Sequence, residues 1–244
     1  MGLASSRASF LPENIDDTSI RKRVIETWTK ANILSKTNNS HQEYQTTPTQ
    51  KMFNIIKAAT LMKEFFKSVD LKMKVLEIMA GNCAASSIVH TILNDQIDVW
   101  LSTDIISYST KLSSIPFQEC HSVEAVEKHS SDKNVLLLIS PPPAGEYDII
   151  EEKFTELQGY GDYYACHDFI EKAKCSSEDK YIVFVGELGA SDGSIGMYNY
   201  MISHSNLELL ERVMLQKSPN QFGDFIEKEL FIFKIKSSVP KGAV

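Results

Sequence analysis

The sequence predicts an α/β fold: a mostly parallel sheet with helices on both faces and an antiparallel hairpin at its carboxyl end. Three observations carry this. From Lys74 onward, short aliphatic or β-branched runs alternate with amphipathic ones, the order strand, helix, strand that builds parallel sheets. Two of the runs, VLLLI at 135–139 and YIVFV at 181–185, are apolar at every position, as strands buried on both faces are. Finally, LELLERVML and KELFIFKI are joined by a polar turn around KSPNQFGDF with no helix between them, so they close as a hairpin.

The elements follow in order. Residues 1–18 read as a flexible polar tail and 19–70 as an N-terminal helical cap. The first cap helix, SIRKRVIETWTKAN, sets Ile20, Val24, Ile25 and Trp28 at helical spacing; a polar TNNSHQEYQTT segment separates it from the second. That second helix, TPTQKMFNIIKAATLMKEFF, starts with Thr47 as N-cap and Pro48 at the first helical position, where a missing amide hydrogen costs nothing. Residues 71–238 form the sheet domain: KVLEIM, CAASSIVHTIL, IDVWLST, a short element near Ile115 to Phe117, SVEAVEKH, VLLLIS, YYACHDFIEKA, YIVFVGEL and IGMYNYMISH, then the hairpin.

Composition narrows the function. With 244 residues, 43% of them hydrophobic, the chain holds one sizeable core, and its formal charge of −7 argues against a broad grip on nucleic acid. This favours a small-molecule or protein substrate. Cys83, Cys120, Cys166 and Cys175 show neither a C-x-x-C nor a zinc-ligand spacing with the histidines, so no metal site is expected. Scattered cysteines, no run of about 18 apolar residues and no signal-peptide core point to the cytoplasm. The start MGLASSR fits the N-myristoylation pattern at Gly2, and one acyl chain would give only weak membrane association. The CHD run at 166–168 reads as one side of a helix rather than as a nucleophile.

The chemistry concentrates where strands end. EIMAGNCAAS follows the first strand with an acid, Glu77, then a turn whose one glycine is Gly81, then small residues opening a helix; such a turn lets backbone approach a ligand and aims amides at it. This stretch resembles the first motif of the class I S-adenosylmethionine-dependent methyltransferases, acidic-x-Gly-x-Gly-x-Gly. Glu77 stands in the place of the acid, Met79, Gly81 and Cys83 in the three glycine places, with Ala80 and Asn82 between them. The resemblance implies a seven-stranded, Rossmann-like sheet, S-adenosyl-L-methionine as cofactor, and ribose recognition by an acid ending the second strand, here Asp104 followed by Ile105. A carboxylate at that separation also suits a nicotinamide-dependent oxidoreductase, but the turn lacks G-x-G-x-x-G.

The resemblance extends to the end of VLLLIS. Amino-group methyltransferases carry Asp or Asn, Pro, Pro and an aromatic there; this chain has Ser140, Pro141, Pro142 and Pro143. It implies that an acceptor amino group, or a hydroxyl, donates to Ser140 and to the Pro141 carbonyl, with Tyr147, Tyr160, Tyr163 or Tyr164 as substitutes for the missing ring. Glu187, at the tip of the fifth strand, and Asp192 in the glycine-rich loop after it offer carboxylates to a cationic or amino substrate. Against this stands an interaction protein that keeps the fold without catalysis, which the replaced glycines, SPPP and the acylation-like start would equally suit.

Overall fold

The computed structural model describes residues 48–104, 115–141, 161–187, 192–219 and 225–238. The helix expected at 19–32, its polar tail, Gly2 and Thr47 lie outside them. Contacts divide the chain into two units. In the first, helix α1 (Pro48–Ser68) packs on helix α2 (Ala84–Leu93), which a 3₁₀ turn (Asn94–Gln96) ends. Pro48 is the first helical residue, as expected. Ile55, Ala59, Met62 and Phe66 recur every three or four residues along α1, and all are buried. Lys63 of α1 donates to the Ile92 carbonyl at 3.2 Å and pairs with Asp95 at 2.6 Å, satisfying a carbonyl that the end of α2 leaves open.

The second unit is the sheet. Its strands are β1 (Met73–Glu77), β2 (Ile97–Asp104), β3 (Phe117–Glu119), β4 (Val135–Ile139), β5 (Lys180–Gly186), β6 (Leu207–Pro219) and β7 (Phe225–Ile235). Their order is β3-β2-β1-β4-β5-β7-β6, with β7 alone antiparallel to its parallel neighbour β5 and paired with β6 as a hairpin. This is a seven-stranded, mostly parallel, Rossmann-like sheet. The hairpin strands run longer than the apolar pattern indicates, because ladder bonds continue through Pro219 and resume at Phe225.

Register explains the core. Val75 faces Val135 and Leu136 faces Ile182, so Leu76, Ile78, Leu136, Leu138, Ile182, Phe184, Phe231 and Phe233 share one side of the sheet. Helices α3 (Ser122–His129), α4 (Gly161–Lys174) and α5 (Ile195–Ser203) cover that side with Ala125, Val126, Ala165, Phe169, Ile170, Met197 and Met201. Phe184 and Phe233 are essentially fully buried, each contributing about 2–3 kcal/mol. Val75, Leu137, Val183 and Ile232 on the opposite side are buried too, which is why β4 and β5 carry no polar alternation.

The CHD expectation is corrected here. Cys166 is fully buried, with its sulfur 3.8 Å from that of Met197, whereas His167 and Asp168 face outward and contact each other at 3.0 Å. Successive helical residues turn about 100° apart, so three in a row do not share a side. Burial pushes the Cys166 thiol well up, and its nucleophilic form is suppressed.

Strand order also fixes where a ligand can sit. The chain builds outward from β1 through β2 to β3, then returns to place β4 on the other side of β1. The carboxyl ends of β1 and β4 therefore flank the crevice that such a reversal opens.

Candidate functional site

The turn after β1 is held from both neighbouring strands. Ile78 donates its amide to the Leu137 carbonyl of β4 at 3.1 Å, Ala80 donates to Thr103 of β2 at 3.0 Å, and Gly81 donates to Asp104 Oδ2 at 2.8 Å. Between these anchors the backbone is left-handed at alternate positions: φ is +56° at Met79, +56° at Gly81 and +60° at Cys83. These are the three positions that the sequence resemblance aligns with glycines. Only glycine adopts that region freely, so Met79 and Cys83 hold it under strain of about 1–2 kcal/mol each. Among the described residues, none comes within 4 Å of a Cβ built on Gly81. Asn82 Oδ1 accepts the Ala84 amide at 3.1 Å where α2 begins.

Glu77 does not face that space through its carboxylate. It is almost fully buried, and its Oε2 accepts Ser102 Oγ at 2.5 Å and Trp100 Nε1 at 3.3 Å, while its carbonyl accepts Thr103 Oγ1 at 3.1 Å. The acid therefore stitches β1 to β2, the strand that carries Asp104. Ile105 lies outside the described residues.

Met79 turns toward a second group of residues. A Cβ on Gly161 would lie 3.4 Å from Met79 Cε, 3.3 Å from His121 Cε1 and 2.9 Å from Ser122 Oγ, so these four converge where α3 and α4 begin. His121 caps α3 by accepting the Val123 amide on Nδ1 at 3.3 Å, and burial lowers its pKa, which favours the neutral imidazole. Among the described residues, buried Ser122 Oγ has no hydrogen-bond partner. Sequence reasoning missed this corner; the signals were a histidine in an N-cap position and a Gly-Asp pair opening a helix.

At the end of β4, Ser140 is exposed, has φ +45° and donates its amide to Val185 of β5 at 2.7 Å. Pro141 is buried, and its carbonyl accepts the Gly193 amide at 2.9 Å; one lone pair of that oxygen is therefore engaged within the chain. The serine ends the strand by switching to the left-handed region, and Pro141, whose ring fixes φ and which has no amide hydrogen, cannot continue the ladder. Pro142, Pro143, Tyr147 and Tyr160 lie outside the described residues. The rings of Tyr163 and Tyr164 pack against each other, and Tyr163 also meets His167 and Tyr200, along α4 and α5.

The two carboxylates after β5 are tied down by the chain. Glu187 Oε1 accepts the Glu227 amide of β7 at 3.2 Å. Asp192 Oδ2 accepts the Glu187 amide at 2.7 Å and pairs with Lys228. Gly186 passes so close that a Cβ there would lie 2.7 Å from Asp192 Oδ2, which explains a glycine at the strand tip. Among the described residues no group of His, Cys, Asp and Glu is placed to hold a metal, and no helix is long and apolar enough to cross a membrane.

No family model matches the sequence, and no curated protein matches it. Solved structures do. A provisionally named class I S-adenosylmethionine-dependent methyltransferase from Listeria monocytogenes superimposes with a TM-score of 0.53 at 14% identity, covering 91% of this chain and 71% of the other. Magnesium protoporphyrin IX methyltransferase from Synechocystis, solved with S-adenosylmethionine bound, matches at 0.46 and 9% identity over 93% of this chain and all of its own. A provisional RNA methyltransferase from Pyrococcus horikoshii matches at 0.47 and 12% identity, covering 91% and 99%. At such identities the likeness is one of fold, and it rests on the Listeria protein.

Proposed function

We propose that this chain, which has the class I methyltransferase fold, transfers a methyl group from S-adenosyl-L-methionine to an amino group of a small-molecule or protein acceptor. The observation that carries the reading is the turn: left-handed backbone at the three positions that align with the motif's glycines, with none of the described residues within 4 Å of a Cβ at Gly81. A chain that has replaced two of the glycines yet keeps their backbone geometry has kept the cradle. The residues fit the cofactor on that ground. Met79, Ala80, Gly81 and Asn82 form the cradle wall, Asp104 and Ile105 offer the ribose acceptor edge, and Glu77 holds the strand that presents Asp104.

S-adenosylmethionine supplies a methyl carbon made electrophilic by its sulfonium; an acceptor's lone pair forms the new bond as the carbon–sulfur bond breaks. On the acceptor side, Ser140 Oγ is exposed, and the Pro141 carbonyl has a lone pair beyond the one Gly193 occupies. Together they suit the two hydrogens of an amino group and orient its lone pair, and the proton released on transfer leaves to solvent. Glu187, at the tip of the neighbouring strand, supplies negative potential near this edge. The formal charge of −7 disfavours a polyanionic acceptor.

Calorimetric titration with S-adenosylhomocysteine, S-adenosylmethionine and NAD tests the reading. Heat from the first two and none from NAD is expected, followed by methyl transfer in a screen of amines and peptides. Binding of NAD alone, or of none of the three at millimolar concentration, refutes it.

A further inference from the structure

We propose that Asp162 is a positioning residue for the acceptor edge, fastening the turn after β5 to the turn after β4 and thereby fixing Ser140 and the Pro141 carbonyl. That the acceptor lies at this edge rests on the function proposed above; the fastening itself does not.

Asp162 sits in the first turn of α4 and is only 2% exposed. A buried carboxylate normally has a cation beside it. Here its partners among the described residues are backbone amides and a serine. Oδ1 accepts the Tyr163 amide at 2.7 Å, and Oδ2 accepts the Ser194 amide at 2.5 Å from a segment 32 residues further along the chain. A helix cap alone does not require this residue, because serine, threonine or asparagine would cap without burying charge. What the geometry requires is acceptors on two oxygens at once, facing two different segments, and only a carboxylate of this size has both.

From Asp162 the contacts run in one line to the end of β4. Ser194 Oγ accepts the Met197 amide at 3.0 Å and so starts α5. Gly193, immediately before it, has φ +73° and donates to the Pro141 carbonyl at 2.9 Å. A Cβ on Gly193 would lie 2.6 Å from Met197 Cε and 3.4 Å from Asp162 Oδ2, so the turn passes in contact with the carboxylate. Ser140 is then held from the other side by its amide on Val185. The Pro141 oxygen has its first lone pair on Gly193, so the direction of the second is set by how firmly Gly193 is held. Asp162 is what holds it. Burial raises its carboxyl pKa by more than the Ser194 and Tyr163 bonds lower it.

The test is Asp162→Asn in the full chain, which keeps shape but leaves one acceptor oxygen for two amides. Three quantities are read: amide hydrogen exchange along the chain, S-adenosylhomocysteine affinity, and methyl transfer. Exchange at Gly193 and Ser194 is expected to accelerate at least tenfold while the β4 and β5 amides stay protected; cofactor affinity stays within twofold, and turnover falls at least tenfold. Asp162→Glu should restore part of the turnover by keeping both acceptor oxygens. Unchanged exchange at Gly193 and Ser194 overturns the proposal, as does turnover equal to the parent's, or exchange that rises uniformly across the sheet. If Asp162→Asn does not fold, Asp162→Ser keeps a side-chain oxygen for the start of α4 but has no second acceptor for the Ser194 amide; it should accelerate exchange at Gly193 and Ser194 severalfold, and no acceleration overturns the proposal. A parent that binds no S-adenosylhomocysteine rejects the methyl-transfer reading, while exchange still decides the fastening.

Discussion

Replacing Met79 separates backbone geometry from side-chain packing. At φ +56° an alanine carries about 1–2 kcal/mol of left-handed strain that glycine does not. Glycine in turn loses about 0.5–1 kcal/mol more chain entropy on folding. Both variants delete the same half-buried thioether, so their difference isolates the backbone: Met79→Gly should be the more stable by about 0.5–1 kcal/mol. At an ordinary φ the order reverses. Ala80, next in the chain and without a positive φ, supplies the control, and Ala80→Gly should lose about 0.5–1 kcal/mol. Urea unfolding at fixed pH measures all three, with midpoint differences converted through a shared m-value; by heat, 1 kcal/mol corresponds to roughly 2–4 °C for a chain of this length. Met79→Ala as stable as Met79→Gly, or more so, refutes the left-handed turn and with it the main support for a cofactor cradle.

Other expectations are as direct. Gly81→Ala should cost about 1 kcal/mol of stability from strain alone, since its Cβ meets none of the described residues, yet weaken S-adenosylhomocysteine far more; equal losses in calorimetry and urea unfolding would show that no ligand approaches there. Asp104→Ala should weaken the same ligand at least tenfold, each hydrogen bond to a charged acceptor being worth about 1.5–3 kcal/mol, and unaltered titration heats would remove it from the site. Lys228→Met leaves the Asp192 carboxylate buried without its cation and should destabilise by about 2–4 kcal/mol, a loss that a shared Asp192→Asn change relieves. The carboxyl of Asp162 titrates above the ordinary aspartate value when folded, so its contribution to stability is full below the unfolded pKa and is lost as pH rises through the folded one. The stability of the parent relative to Asp162→Asn should therefore fall with rising pH in that window, and a flat or rising difference in urea midpoints contradicts it.

Much of the fold was legible because burial on both faces leaves a plain mark. The runs at 135–139 and 181–185 could be placed at the centre of a parallel sheet from composition alone, and SVEAVEKH matches α3 residue for residue. The site was legible only where residue type carries the chemistry. Gly81 and Asp104 were identifiable, and the structure joins them by a hydrogen bond across 23 residues. Glu77 was identifiable as an acid but not as a partner of Trp100 and Ser102, because sequence gives the strand face of a side chain, not its partner one strand away. Asp162 was invisible for the same reason in stronger form. An aspartate at a helix start looks like a cap, and its second partner, Ser194, lies on another loop. For Glu187 and Asp192 the sequence suggests carboxylates offered to a ligand but not their partners within the chain, since the Glu227 amide and Lys228 lie on another strand some 36–40 residues on.

The replaced glycines then bear on function differently from how the sequence alone presents them. A missing glycine usually signals that the chain has left the left-handed region, and a turn that has left it no longer brings its amides to a ligand. Here the region is retained at Met79 and Cys83 at a cost of about 1–2 kcal/mol each. The cost is balanced by fixed contacts on both flanks, Ile78 to Leu137 and Ala80 to Thr103. A turn anchored to β2 and β4 cannot relax without breaking ladder-like bonds at the centre of the sheet, so the strained shape is rigid rather than merely tolerated. Rigidity of that kind lowers the ordering cost of binding, since the amides need not be collected when a ligand arrives. If the turn is a cofactor cradle, the side chain at 79 alters its lining, since Met79 Cε lies beside Gly161, and leaves the backbone in place. Differences in ligand preference should arise from that lining, which makes Met79 rather than Gly81 the position at which to alter selectivity.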